Sequence, residues 1–263
     1  MSFTEGSTTD AGTIRVPPGG PNVVGATGGS GTRVVARVLR AGGMFIGKHL
    51  NRSDDAVAFG AFSDEWINRY LTREDEAVLA PMRDALERLI AEHLADRRKE
   101  LHWGWKEPRS IYLLPFLRET MPGLRFLHVV RDGRDMAFSS TQQQPTKHGE
   151  AMLGVGDDLP TEPERAIALW ATVNGRAADF GETVLGSAYA RIRFEDLCTA
   201  PEPTVRQLLD FFDLEGDAGR LARKEVKPPS SLGRWQHEDP AVVERLEAIG
   251  GEALERLGYA RSR

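Results

Sequence analysis

A short apolar run, Asn22-Val23-Val24, leads into the small-residue stretch GATGGSGTR at 25–33, and Val34, Val35, Val38 and Leu39 then recur at helical spacing. That order predicts a strand, a glycine-rich loop and a helix. Small residues let backbone N–H groups close on an anion, and the N-terminus of the next helix adds a favourable dipole. Gly25 to Arg33 is therefore a candidate phosphate cradle, with Gly28, Gly29, Ser30, Gly31, Thr32 and Arg33 as its candidate binding residues. Thr32 and Arg33 stand where a Walker A motif needs Lys followed by Ser or Thr, which argues against an ATPase or GTPase. The glycines at 25, 28 and 31 also suit the dinucleotide turn of short-chain reductases. A reductase needs a Tyr with a Lys four residues on, and the residues four beyond Tyr70, Tyr112, Tyr189 and Tyr259 are Glu74, Phe116, Arg193 and Arg263. The alternative left open is a NAD(P)-binding, reductase-like sensor without catalytic activity.

Further along, helices are expected over 63–79 and 81–98, and strands at 102–105 and 125–130, with a helical stretch between the strands. Another helix is expected over 132–144, followed by a turn-rich segment, 145–160, read as a lid over an acceptor. Thr161 and Glu164 form a capping-box pair that opens a long helix, and the strand AYARIRF ends at Phe194. Helices over 203–212 and 241–257 complete the chain around a loop at 227–240. Strands alternating with helices predict an α/β fold with a mostly parallel sheet covered on both faces. The first twenty residues are polar and rich in Gly and Pro, which reads as a disordered tail before a single domain at 21–263.

A net charge of −5 argues against broad adhesion to nucleic acid or anionic lipid. No apolar run reaches the roughly 18 to 20 residues that span a bilayer, so no integral membrane association is expected. Cys198 is the single cysteine and has no partner for an internal disulfide, which fits a reducing cytoplasm.

The other polar residues of interest fall at strand ends: Lys106 after one, Arg131 after another, Glu195 and Asp196 after a third. In an open parallel sheet that edge lines the ligand crevice, so the glycine loop, Lys106 and Arg131 should converge on one polyanionic ligand.

GGSGTR resembles the 5′-phosphosulfate loop of the sulfotransferases that use 3′-phosphoadenosine 5′-phosphosulfate (PAPS), and VVRDGRDMAFSS resembles their 3′-phosphate motif. The resemblance implies a P-loop-like sulfotransferase fold, PAPS as donor and adenosine 3′,5′-bisphosphate as product, with no metal required. It assigns Arg131 and Ser139 to the 3′-phosphate and Phe194, in RFEDL, to the adenine. SSLGRW is similar to the segment that closes over the phosphates, which implicates Gly233 and Arg234. Gly29 departs from the pattern, since many members carry Lys or Arg there. Lys106, in WKEP, is the expected substitute on the leaving oxygens, with the loop's own N–H groups or Arg33 as alternatives. For the base that takes the acceptor's proton the candidates are Asp55, His49 and Glu107, with Asp55 preferred by likeness to relatives. The acceptor would be a hydroxyl or amine on a small molecule, glycan or lipid. A degenerate fold kept as a binding module is a further reading.

Overall fold

The computed structural model describes residues 12–140, 142–154 and 161–261. Four strands form one parallel sheet: β1 (Asn22–Gly25), β2 (Gly104–Lys106), β3 (Arg125–Val130) and β4 (Tyr189–Arg193), in the order β2-β1-β3-β4. The helices are α1 (Thr32–Ala41), α2 (Val57–Thr72), α3 (Glu76–Ala95), α4 (Leu114–Thr120), α5 (Gly133–Ala137), α6 (Gln143–Leu153), α7 (Glu162–Phe180), α8 (Phe194–Thr199), α9 (Pro201–Phe211), α10 (Ala218–Glu225) and α11 (Pro240–Arg256). Register pairs Val24 with Lys106, Gly25 with His128 and Val130 with Arg193, so all four carboxyl ends reach the same edge. β1 and β3 are buried on both faces, apart from the partly exposed Arg125, because the sheet is covered on both sides. One layer contains Val23, Trp105, Phe126 and residues of α2 and α3, and the other contains Val24, Leu127, Val129 and residues of α1, α9 and α10.

Several expected boundaries move, each for a local reason. The break between the first two long helices falls at 73–75 and not at residue 80, because Asp75 accepts from Ala77 N at 3.1 Å and caps α3, which then carries Pro81 inside it. The helix after β3 stops at Ala137: the Gln142 amide donates to the carbonyls of Met136, Ala137 and Ser139, satisfying groups that a longer helix would have used. The expected loop at 145–160 is helical through Leu153, with Pro145 in the first turn, where no intrahelical N–H is needed. Residues 155–160 of that segment lie outside the described residues.

The tail expectation also needs correction from residue 12 onward. Ile14 is buried and its N–H donates to Thr120 O at 2.9 Å, while Pro17 O accepts from Trp103 Nε1 at 3.1 Å. A Gly- and Pro-rich strip thus packs along the sheet through backbone bonds that its composition does not reveal. Residues 1–11 lie outside the described residues. The capping box of α7 forms as expected, and no helix among the described residues is long and apolar enough to cross a membrane.

Candidate active site

A cavity of about 840 Å³ opens at the carboxyl edge of the sheet. Its floor is the loop after β1, and the residues that follow β2, β3 and β4 form its sides. None of the backbone N–H groups from Gly28 to Arg33 meets a protein acceptor among the described residues. Ser30 shapes the loop from inside, its hydroxyl donating to Thr27 O at 2.7 Å. A ring of unsatisfied donors at the start of α1, open to a cavity, is a fitting cradle for a phosphate-like group.

Gly31 has φ +81°, and a Cβ there would lie 2.1 Å from the Phe194 ring. The Arg131 guanidinium in turn stands 5.5 Å from the centre of the same ring. Three segments far apart in sequence therefore meet at one point. Arg131 is 4 % exposed; it donates to Asp135 Oδ2 at 2.9 Å and to Ser231 O at 2.5 Å, while its Nε is buried without a partner. Arg131 lines the cavity, and its guanidinium charge suits an anionic ligand there. Ser139 lies on the same side of the loop, its Oγ 4.0 Å from the place of a Gly29 Cβ.

Asp135 was not singled out in the sequence, yet it organises this side of the site. Besides Arg131, its carboxylate accepts from Gly233 N at 2.8 Å and Trp235 N at 3.2 Å, pinning the 231–235 segment against α5. The i,i+4 spacing from Arg131 signals the ion pair between the two, but not the bonds to 231–235. Arg234 donates to Phe138 O at 3.0 Å, and burial, with the nearby Arg131 charge adding to it, lowers its pKa.

On the opposite wall Lys106 is 1 % exposed, and its ammonium donates to Ser53 O at 2.5 Å and to the Asp55 carboxylate. Burial lowers the Lys106 pKa, and Asp55 works against that shift. Asp55 also accepts from Asn51 Nδ2 at 2.8 Å and lines the cavity. The preferred base and the preferred cation thus form one pair. Glu107 is buried with both oxygens engaged, by Arg109 Nε at 2.9 Å and Ser63 Oγ at 3.1 Å, and burial raises its pKa. His49 is not brought to the cavity: its side chain is 78 % exposed and faces Asp96. Arg33 lines the cavity and donates to Ser53 Oγ at 3.1 Å.

Gly29 has φ +87°, and a Cβ there would come within 2.9 Å of the Met136 methyl. The backbone at this position suits glycine, which accounts physically for a missing side chain where a cation was expected.

The sulfotransferase family model matches residues 27–218. The chain belongs to the sulfotransferase family. A curated relative, protein-tyrosine sulfotransferase 1 of Danio rerio, is 26 % identical over 255 residues, covering 88 % of this chain. The chain spans 64 % of that relative's length. Among solved structures, a sulfotransferase from Mycobacterium avium aligns with a TM-score of 0.58 at 10 % identity, over 94 % of this chain and 79 % of its own. The sulfotransferase domain from the curacin biosynthetic pathway aligns at 0.56 and 15 % identity, over 94 % of this chain and all of its own. The fold is that of the sulfotransferases, and the reductase-like alternative finds no support.

Proposed function

We propose that this sulfotransferase-family chain moves a sulfuryl group from PAPS to a hydroxyl or amine of a small-molecule, glycan or lipid acceptor, releasing adenosine 3′,5′-bisphosphate. The observation that carries the reading is the loop from Gly28 to Arg33, whose backbone N–H groups have no protein acceptor among the described residues and whose Gly28, Gly29, Gly31, Thr32 and Arg33 line the same cavity as Arg131. In this reading the loop holds the 5′-phosphosulfate, Arg131 and Ser139 hold the 3′-phosphate, and Phe194 packs beside the adenine. The 231–235 segment, with Gly233 and Arg234, closes over the phosphates.

Transfer proceeds in line: the acceptor oxygen or nitrogen attacks sulfur, the S–O bond to the phosphate breaks, and the acceptor's proton goes to a base. Asp55 takes that proton, because it lines the cavity, whereas both oxygens of Glu107 are held and His49 points elsewhere. Lys106 steadies the charge that grows on the leaving oxygen. The zebrafish relative's name refers to tyrosine, so a phenolic hydroxyl is the first acceptor to test.

The experiment is transfer of labelled sulfur from PAPS to a panel of phenols, a tyrosyl peptide, amines, glycans and lipids. Labelled product formed together with equimolar bisphosphate is the expected result. Donor binding without transfer to any acceptor class would instead identify a binding module.

A further inference from the structure

We propose that the Gln144 carboxamide donates a hydrogen bond to the sulfuryl oxygens of the bound donor, a role that rests on the function proposed above. Gln144 is 8 % exposed and lines the cavity. Its Oε1 accepts from the Tyr112 hydroxyl at 3.2 Å, which turns the amide nitrogen away from Tyr112. That Nε2 has no protein acceptor among the described residues, and it stands over the glycine loop, 3.4 Å from the place of a Gly28 Cβ. The amide nitrogen keeps access to the cavity, so an acceptor on a bound ligand can replace the solvent it otherwise meets.

The position selects which part of the ligand is met. The loop's backbone donors already surround the phosphate place, whereas Gln144 reaches the loop from α6, which is fastened to α2. Asn68 Nδ2 donates to Lys147 O at 2.8 Å, and its Oδ1 meets His148 Nδ1 at 2.7 Å. Val57, Gly60, Ala61 and Asp64 of α2 line the cavity on that side. The sulfuryl group must lie between the phosphate and the acceptor, and Gln144 lines the cavity beside the loop that would hold that phosphate. A neutral amide there helps to compensate for the cation absent at Gly29.

The test compares two probes that differ only by the sulfuryl group, PAPS and adenosine 3′,5′-bisphosphate, titrated calorimetrically into the wild type, Gln144→Leu, Gln144→Asn and Tyr112→Phe. A lost hydrogen bond to a charged group should weaken PAPS binding by about 10- to 100-fold in Gln144→Leu, while bisphosphate affinity changes by less than about 3-fold. Gln144→Asn, a methylene shorter, and Tyr112→Phe, which frees the amide to turn, should shift PAPS affinity in the same direction by less. Equal weakening for both probes, or for neither, overturns the assignment, and the two milder variants decide if Gln144→Leu does not fold. A wild type that binds neither probe would sink the proposed function itself, and the Gln144 role with it.

Discussion

Arg131 is fixed before any ligand arrives, by Asp135 and by Ser231, so little of its side-chain freedom remains to be lost on binding. Arg131→Ala should weaken bisphosphate binding by roughly 2 to 5 kcal/mol in calorimetry, because it leaves a phosphate facing an uncharged wall. An unchanged affinity would remove Arg131 from the site. Lys106 should behave differently. Charge grows on the leaving oxygen only as the S–O bond breaks, so Lys106→Met should lower single-turnover transfer by about 10²- to 10³-fold while donor affinity changes little. Its partner Asp55 keeps contact with the cavity and with Asn51, so the vacated pair is not stranded away from water. A wild-type rate in Lys106→Met would reduce the residue to a structural ion pair. Arg131 and Lys106 were legible because each ends a strand. Asp135 and Gln144 were not, since their importance lies in bonds to 231–235 and to Tyr112 that no spacing encodes.

The element most poorly legible was α6. Its buried face is Gln144, His148 and Met152, four residues apart, and two of the three are polar, so the hydrophobic period that announces a helix was absent. The loop before α1 was legible for the opposite reason: its glycines are demanded by geometry. Gly31→Ala would force a Cβ into the Phe194 ring at a positive φ. The variant should lose stability by more than the 1 kcal/mol or so typical of an unfavourable φ alone, read as a lower denaturant midpoint, and it should also bind bisphosphate poorly. A midpoint equal to wild type would mean that Phe194 does not pack on the loop. At the head of α7, Thr161→Ala removes the cap that accepts from Glu164 N and should cost about 1 kcal/mol in the same assay, with donor affinity unchanged.

At the scale of the whole molecule, the parallel sheet followed from strands alternating with helices, and its carboxyl edge followed from where the polar residues fell. The packed strip from residue 12 could not be read, because backbone bonds to Thr120 and Trp103 hold it. The sheet interior also contains His128, fully buried between Tyr189 Oη and Asn174 Oδ1, each at 2.8 Å; burial lowers its pKa to about 4. The unfolded chain takes up a proton near pH 6.5 that the fold refuses until about pH 4. The stability this histidine contributes is thus present above pH 6.5 and lost as pH falls toward 4. Glu107 and Glu195, raised by burial, act in the opposite sense, so the effect is read by difference. Between pH 7 and 5, wild type should lose more denaturant resistance than His128→Asn, and parallel curves would contradict the assignment. The central claim, that the cavity at the sheet edge is a nucleotide-sulfate site, is tested most directly by thermal melting with adenosine 3′,5′-bisphosphate and, separately, NADPH. At about 100 times its Kd a ligand adds about 2.7 kcal/mol to the folded state. The account predicts a midpoint raised by several degrees with bisphosphate and unmoved by NADPH, and the reverse pattern would contradict it.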